Sequence, residues 1–231
     1  MDSIIEVVRC FENSNIIHVD GVINPTNDIE IIELELIYAD LETVSKRRER
    51  LKKQLKADKS LIKEDLVLEK IEKALNEGKS ARSLELTEEE KDIIKSLSLL
   101  TLKPLMYVAN VDEETIQDIE KNEKFKKVKQ YAESQNAKVI PICVKLEEEI
   151  SSIESEDERK EFLEMMGLDK SGLDKLIIAS YDILGLMSYL TVRRNRSKSM
   201  DYKKRDKSTK SGIKDTFRYR KRVYKSGNRI I

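Results

Sequence analysis

Tryptophan is absent from these 231 residues, and histidine (1), cysteine (2), proline (3) and glycine (7) are scarce. Two cysteines cannot build a disulfide framework and suit a reducing compartment. A single histidine, His18, cannot assemble a His-based metal site or a His-assisted nucleophile, and it reads as a polar loop residue. So little proline and glycine, with only 5% aromatic residues, argues against collagen-like, mucin-like and all-β classes. No apolar run approaches the roughly 20 residues that a bilayer span needs. Asp2 stands where a leader would be basic. The expectation is a cytoplasmic protein with no membrane partner. What remains is a charged, helix-rich mixture, 39% apolar and 38% charged, long enough for one full domain or two small ones.

The formal net charge of zero hides a division. From Arg193 to Ile231 there are 16 Lys/Arg against 3 Asp and no Glu, which leaves 28 basic and 41 acidic residues in the first 192. Such like-charge density without an amphipathic period reads as a disordered polycation. Interleaved Tyr202, Phe217, Tyr219 and Tyr224 give it the look of an arm for non-specific RNA, through phosphate neutralisation and stacking.

Residues 3–10 are β-branched-rich and short, as a buried strand would be. Asn27 followed by Glu30 has the form of a capping box, so the spacing predicts a helix from Asp28. Leu34, Ile37, Leu41, Val44, Leu51 and Leu55 then recur at three and four, with Arg48 in the one unfilled seam position. Leu61, Leu68, Ile71 and Leu75 continue the seam to Gly78, a helix stop. Two such helices sharing one seam make an antiparallel, coiled-coil-like hairpin. Thr87 with Glu90 opens another helix, to about Leu99. Strand-like Leu105–Ala109, a polar helical stretch and strand-like Lys138–Cys143 follow in βαβ order. Helices over 156–166 and 173–186 complete an α/β chain whose parallel sheet would place ligands at the strands' carboxyl ends.

Asn110-Val111-Asp112-Glu113 follows the first of those two strands, and Glu147 lies just past the second. The segment resembles the Asn-Lys-x-Asp motif of P-loop GTPases, whose carboxylate accepts hydrogen bonds from the guanine edge, with Val111 in the lysine's place and the longer Glu113 in the aspartate's. The bland alternative is a polar helix start. Glu88–Glu90 and Glu147–Glu149 read as solvent-facing acids complementing helix dipoles rather than as metal ligands, and Cys10 and Cys143 as buried inert thiols. No catalytic or metal-ligating set emerges.

The run Val7 to Asn13, then Asn15 to Gly21, Asn24-Pro25, Leu36 to Leu41, Leu100 to Pro104, Tyr107 to Val111 and Gly172-Leu173 with Tyr181 closely resembles the Obg-like ATPases, the YchF family, over about residues 2–192. That resemblance implies a P-loop nucleotide-binding domain interrupted by a helical hairpin, a C-terminal TGS domain, ATP hydrolysed with Mg²⁺, and the ribosome as partner. It places Asn110, Val111 (partly through its backbone) and Glu113 around the adenine.

The chain departs from the family twice. It holds no Gly-x-x-x-x-Gly-Lys-Ser/Thr loop to cradle phosphates; Gly78-Lys79-Ser80 has Lys73 where the first glycine belongs. The resemblance therefore implies an N-terminal truncation and leaves catalysis by this chain doubtful. Beyond Val192 the family's TGS sequence is missing. Back-translating Ser199–Lys204 and reading one base later gives Ala-Trp-Thr-Ile-Lys, close to the family, which implies a frameshift near Val192. The expected division is 1–27 with 88–192 as a partial nucleotide-binding domain, 28–87 as the inserted hairpin and 193–231 as the basic tail. The competing expectations are a non-enzymatic RNA- or ribosome-binding protein using hairpin and tail, and a coiled-coil adaptor.

Overall fold

The computed structural model describes residues 2–13, 23–55, 58–193 and 196–203. His18 and residues 204–231 lie outside them. The chain divides into two units, residues 1–175 and 176–231.

The first unit begins with β1 (Ile4–Arg9), whose alternating burial covers Glu6 and Val8. Helix α1 (Pro25–Gln54) starts three residues before the expected Asp28. Its N-cap is Asn24, and Pro25 occupies the first helical position, where a missing N–H is harmless and the fixed φ suits a helix. Leu55 closes α1, and the segment Lys59–Leu61 is a 3₁₀ turn whose Asp58 carboxylate accepts from Ser60 N–H at 2.8 Å.

Helix α2 (Ile62–Asn76) runs back along α1. Ser45 bonds Glu72, Arg47 bonds Glu64 at 2.6 Å, and Arg48 reaches both Asp65 and Glu72, so on passing from Ser45 to Arg47 the partner moves back along α2. Ile37, Val44, Leu51, Leu68, Ile71 and Leu75 are buried together along this contact. Arg48 does fill the seam gap, as a cation only 12% exposed. Leu34 departs from the expected seam at 44% exposure. The reason is that the first turns of α1 pack elsewhere: Ile29 joins the core of the sheet.

Gly78 follows α2 with φ +73°, a conformation open to glycine. Helix α3 (Glu88–Ile94) carries both halves of the Thr87–Glu90 capping box. It stops short of Leu99, because Lys95–Leu97 tightens to 3₁₀ and Ser98 turns left-handed.

Strand β2 (Leu105–Asn110) is buried almost throughout, followed by the short α4 (Glu113–Ile116), then α5 (Glu123–Ser134) and β3 (Lys138–Ile142). The three strands form one parallel sheet in the order β1-β2-β3, with Arg9 opposite Asn110 and Asn110 opposite Ile142. All three therefore end at one edge. Val8, Tyr107, Ala109, Phe125, Val128 and Ile29 make the core beneath the sheet.

Helices α6 (Val144–Ser152), α7 (Glu156–Met165) and α8 (Gly172–Ile183) follow. In the second unit, β4 (Leu186–Arg193) pairs antiparallel with β5 (Arg196–Lys203), from Leu186 opposite Lys203 to Arg193 opposite Arg196. The first part of the expected polycation is thus a strand. Backbone hydrogen bonds from the neighbouring strand Leu186–Arg193 supply what the charged segment could not supply alone.

Candidate functional site

The carboxyl edge of the sheet gathers the ends of the three strands. Past β1, the Arg9 guanidinium donates to the Phe11 and Asn13 carbonyls, both at 3.2 Å, and lies 4.8 Å from the Phe11 ring centre. Cys10 N–H donates to the Asn110 carbonyl at 2.7 Å. Cys10 is 1% exposed, and burial pushes its thiol up to about 12, so it stays a thiol at neutral pH. Asn122 caps α5 by accepting from Phe125 N–H at 2.9 Å, and its amide donates to the Cys10 carbonyl at 3.1 Å. One side chain thereby ties the end of β1 to the start of a helix.

Past β2 the three predicted residues take different roles. The Asn110 Oδ1 accepts from Val144 N–H at 3.2 Å, joining β2 to α6. Val111 is 2% exposed; its side chain belongs to the core, and its N–H donates to the Ile142 carbonyl at 2.9 Å. Its backbone amide is therefore committed to the sheet edge. Asp112 caps α4 by accepting from Thr115 N–H at 2.8 Å. Glu113 begins α4 and pairs with Lys145 at 2.7 Å, which holds the Lys145 ammonium above its usual range through that hydrogen bond and the charge behind it. Asn110 and Glu113 thus face one neighbouring segment, Val144-Lys145, whereas Val111 supports them from below.

Past β3, Cys143 is buried at the start of α6, and burial raises its thiol as well. Glu147 is not one of a solvent-facing trio of acids. Its two carboxylate oxygens accept from Gly172 N–H at 2.6 Å and Leu173 N–H at 3.0 Å, clamping the first turn of α8. Charge-assisted bonds at a helix N-terminus are among the stronger ones available. A Cβ on residue 172 would lie 2.9 Å from both Glu147 Oε1 and Ile142 Cγ2, so a side chain there would have to displace the clamping carboxylate or the Ile142 side chain. No signal in the local sequence joins positions 25 apart, although Glu147 and Gly172 each lie where a cap and a helix start are expected. Gly172→Val should lower the unfolding free energy by about 2 kcal/mol, and Glu147→Gln by about 1. Combining the two should give less than the sum, because they disable one clamp. Thermal unfolding of the single and double variants checks this.

A second polar cluster joins α1 to β2 and α5. Glu33 accepts from Tyr131 OH at 2.9 Å and from Tyr107 OH at 3.3 Å, and the two rings meet edge to face at 6.3 Å. Glu6, opposite Tyr107 in the register, is 9% exposed beside them. Composition and spacing gave no hint of this cluster.

No protein-family model matches the chain. The ribosome-binding ATPase YchF of Bacillus subtilis (strain 168) is 46% identical over 205 residues, which is 88% of this chain and 56% of that protein. The protein of the same name from Escherichia coli O157:H7 is 43% identical over 191 residues, 82% of this chain and 52% of its own length. A solved structure of the Schizosaccharomyces pombe YchF GTPase superposes with a TM-score of 0.78 at 32% identity, covering 91% of this chain and 57% of that one. Over that span the chain belongs to the YchF family. It covers just over half the length of these relatives. The parallel sheet with helices agrees with the YchF fold, and the Asn110–Glu113 segment runs from the last residue of β2 into α4. The relatives' names disagree on the base, ATPase in two and GTPase in the third.

Proposed function

We propose that this YchF-family chain carries the base-reading edge and the helical arm of a ribosome-associated, ATP-binding protein. In this reading, residues 1–27 and 88–192 belong to the nucleotide-binding domain, 28–87 form the inserted arm, and 193–231 stand where a further domain is expected. The observation that carries it is the Glu113 carboxylate, fastened to Lys145 at 2.7 Å at the carboxyl end of β2, next to Asn110. A carboxylate so held accepts from the exocyclic amine of adenine. Its extra methylene, compared with aspartate, displaces it from the place where a guanine edge presents two donors.

The residues fit the base and not the phosphates. Gly78-Lys79-Ser80 is a helix stop: Lys79 N–H closes back on the Ala74 carbonyl at 2.9 Å and its ammonium pairs with Glu77. The bound nucleotide would supply the γ-phosphoryl group to be hydrolysed. What these residues do is orient its base, with Asn110 bracing the Val144 amide and Val111 holding the strand ends in register. Ribosome association comes to the chain from the relatives' names and is carried by the arm.

Two outcomes are expected. The purified 231-residue chain hydrolyses neither ATP nor GTP measurably, because transition-state charge needs a phosphate-cradling loop and lysine. A Mg²⁺-dependent rate lost on Glu113→Ala would sink that expectation. In titrations with labelled adenine and guanine nucleotides, adenine binds at least as well, and Glu113→Ala weakens it about tenfold, the worth of one charge-assisted bond. Equal binding by wild type and Glu113→Ala would remove Glu113 from the base site.

A further inference from the structure

We propose that the far end of the α1–α2 pair docks on the phosphate backbone of RNA, through Arg50, Lys53, Lys59 and Lys63. This rests on the ribosome-association reading and names the part of the arm and the chemistry that would carry it.

The argument begins with charge. Between Arg50 and Lys63 there are six Lys/Arg and one Asp, inside the first 192 residues that hold 41 acidic against 28 basic. The tip is a basic island on an acidic body. Elsewhere in the first unit exposed cations are commonly neutralised within a turn or by a neighbouring loop: Lys46 by Glu42, Lys91 by Glu88, Lys121 by Asp118, Lys126 by Glu123, Lys129 by Glu120. At the tip this pattern stops. Arg50, Lys53, Lys59 and Lys63 are exposed, and none has an ion pair among the described residues. Lys52 feels Glu72 at a distance, and Asp58 is occupied in capping the Ser60 amide.

The acids that could have compensated them are used deeper in the pair. Arg47 takes Glu64, and Arg48, only 12% exposed, takes Asp65 and Glu72. The same bonds stiffen the arm on which the free cations sit. Its root is fixed as well: the buried Asp40 holds the Leu100 and Thr101 amides at 2.8 and 2.7 Å. Thirteen residues separate Asp40 from Lys53, about 20 Å of helix at 1.5 Å per residue. A rigid rod that presents uncompensated cations well beyond an acidic body suits a polyanion. The partner is RNA rather than an acidic protein because the tip offers charge without an exposed aromatic anchor, and phosphate neutralisation needs nothing else.

The test compares the full chain with the variant Arg50→Ala/Lys53→Ala/Lys59→Ala/Lys63→Ala. Alanine at exposed helical positions keeps the helices, which circular dichroism verifies. The control, Lys91→Ala/Lys121→Ala/Lys126→Ala/Lys129→Ala, removes equal charge from paired sites. All three proteins keep the basic C-terminal stretch, so its contribution is common to them. Binding to a labelled RNA duplex is followed by anisotropy across a salt series, and binding to purified 70S ribosomes by cosedimentation. The tip variant should bind the duplex at least about tenfold more weakly at 0.1 M salt, and its log affinity–log salt slope should shrink by about 3, from the loss of four phosphate contacts. The control should keep the slope. An unchanged slope in the tip variant overturns the proposal, and so does ribosome binding lost while duplex binding survives, which would point to an acidic ribosomal protein. Wild type that ignores ribosomes ends the ribosome reading while the duplex arm still judges the tip.

Discussion

Asp40→Ala should destabilise the first unit more than any other single change to a polar side chain, by about 4 kcal/mol. The Asp40 carboxylate is 2% exposed and accepts from three donors: Leu100 N–H at 2.8 Å, Thr101 N–H at 2.7 Å and Thr101 OH at 2.6 Å. Thr101 in turn receives Ala81 N–H at 3.2 Å on its hydroxyl and Arg82 N–H at 3.1 Å on its carbonyl. One carboxylate therefore fastens α1 to the segment entering β2 and, through Thr101, to the chain leaving α2. Truncation leaves the buried Thr101 N–H and the part-buried Leu100 N–H without their acceptor, each worth about 1–3 kcal/mol. For a unit of this size the melting temperature should fall by roughly 8–16 °C. Thr101→Val, which removes the shared hydroxyl and leaves the carboxylate its two amides, should fall by less than half as much. If Asp40→Ala melts within 2 °C of wild type, the knot contributes nothing and water replaces it.

Replacing Glu6 by Gln should do the reverse and stabilise the protein at alkaline pH. Burial, with the nearby Glu33 and Asp28 charges adding to it and Arg82 opposing, pushes the Glu6 carboxyl up to about 7. Among the described residues its Oε2 has no hydrogen-bond partner. Below the unfolded value of 4.5 the group is protonated in both states. Between 4.5 and about 7 the folded protein holds a proton that the unfolded chain releases, so stability falls as pH rises through that window and levels off above it. The shift amounts to about 3 kcal/mol. Denaturant midpoints at pH 5 and pH 8 should therefore differ for the wild type. They should differ much less for Glu6→Gln, which should be the more stable protein at pH 8. Parallel pH curves for the two would show that Glu6 ionises freely.

The elements were largely legible because their signals are local. The Thr87–Glu90 box, the glycine stop at residue 78, the β-branched run at 3–10 and the strand-like stretches at 105–109 and 138–143 act over a few residues, and the structure keeps each element within a residue or so. Asn110 and Glu113 were legible as a strand-end pair, and the resemblance that singled them out is the family the comparisons show. Where the reading slipped, a longer-range contact outweighed a local one. The box at Asn27–Glu30 gave way to Pro25, and the seam at Leu34 gave way to the sheet, because the first turns of α1 are committed to the core through Ile29. Residues 196–203 became a strand once a partner strand stood beside them.

The sequence by itself determined the α/β class, the order of the elements, the family and the carboxylate at the end of β2, since periodicity, caps and motifs are written in consecutive residues. Only the tertiary structure decided what the individual polar groups do. Glu147 clamps Gly172 from 25 positions away, Asp40 holds Thr101 from 61, and Val111 supports the edge from within the core with its amide already taken. A carboxylate's role depends on which donors folding brings within 3 Å, and hydrogen-bond partners far apart in sequence leave no periodicity to read.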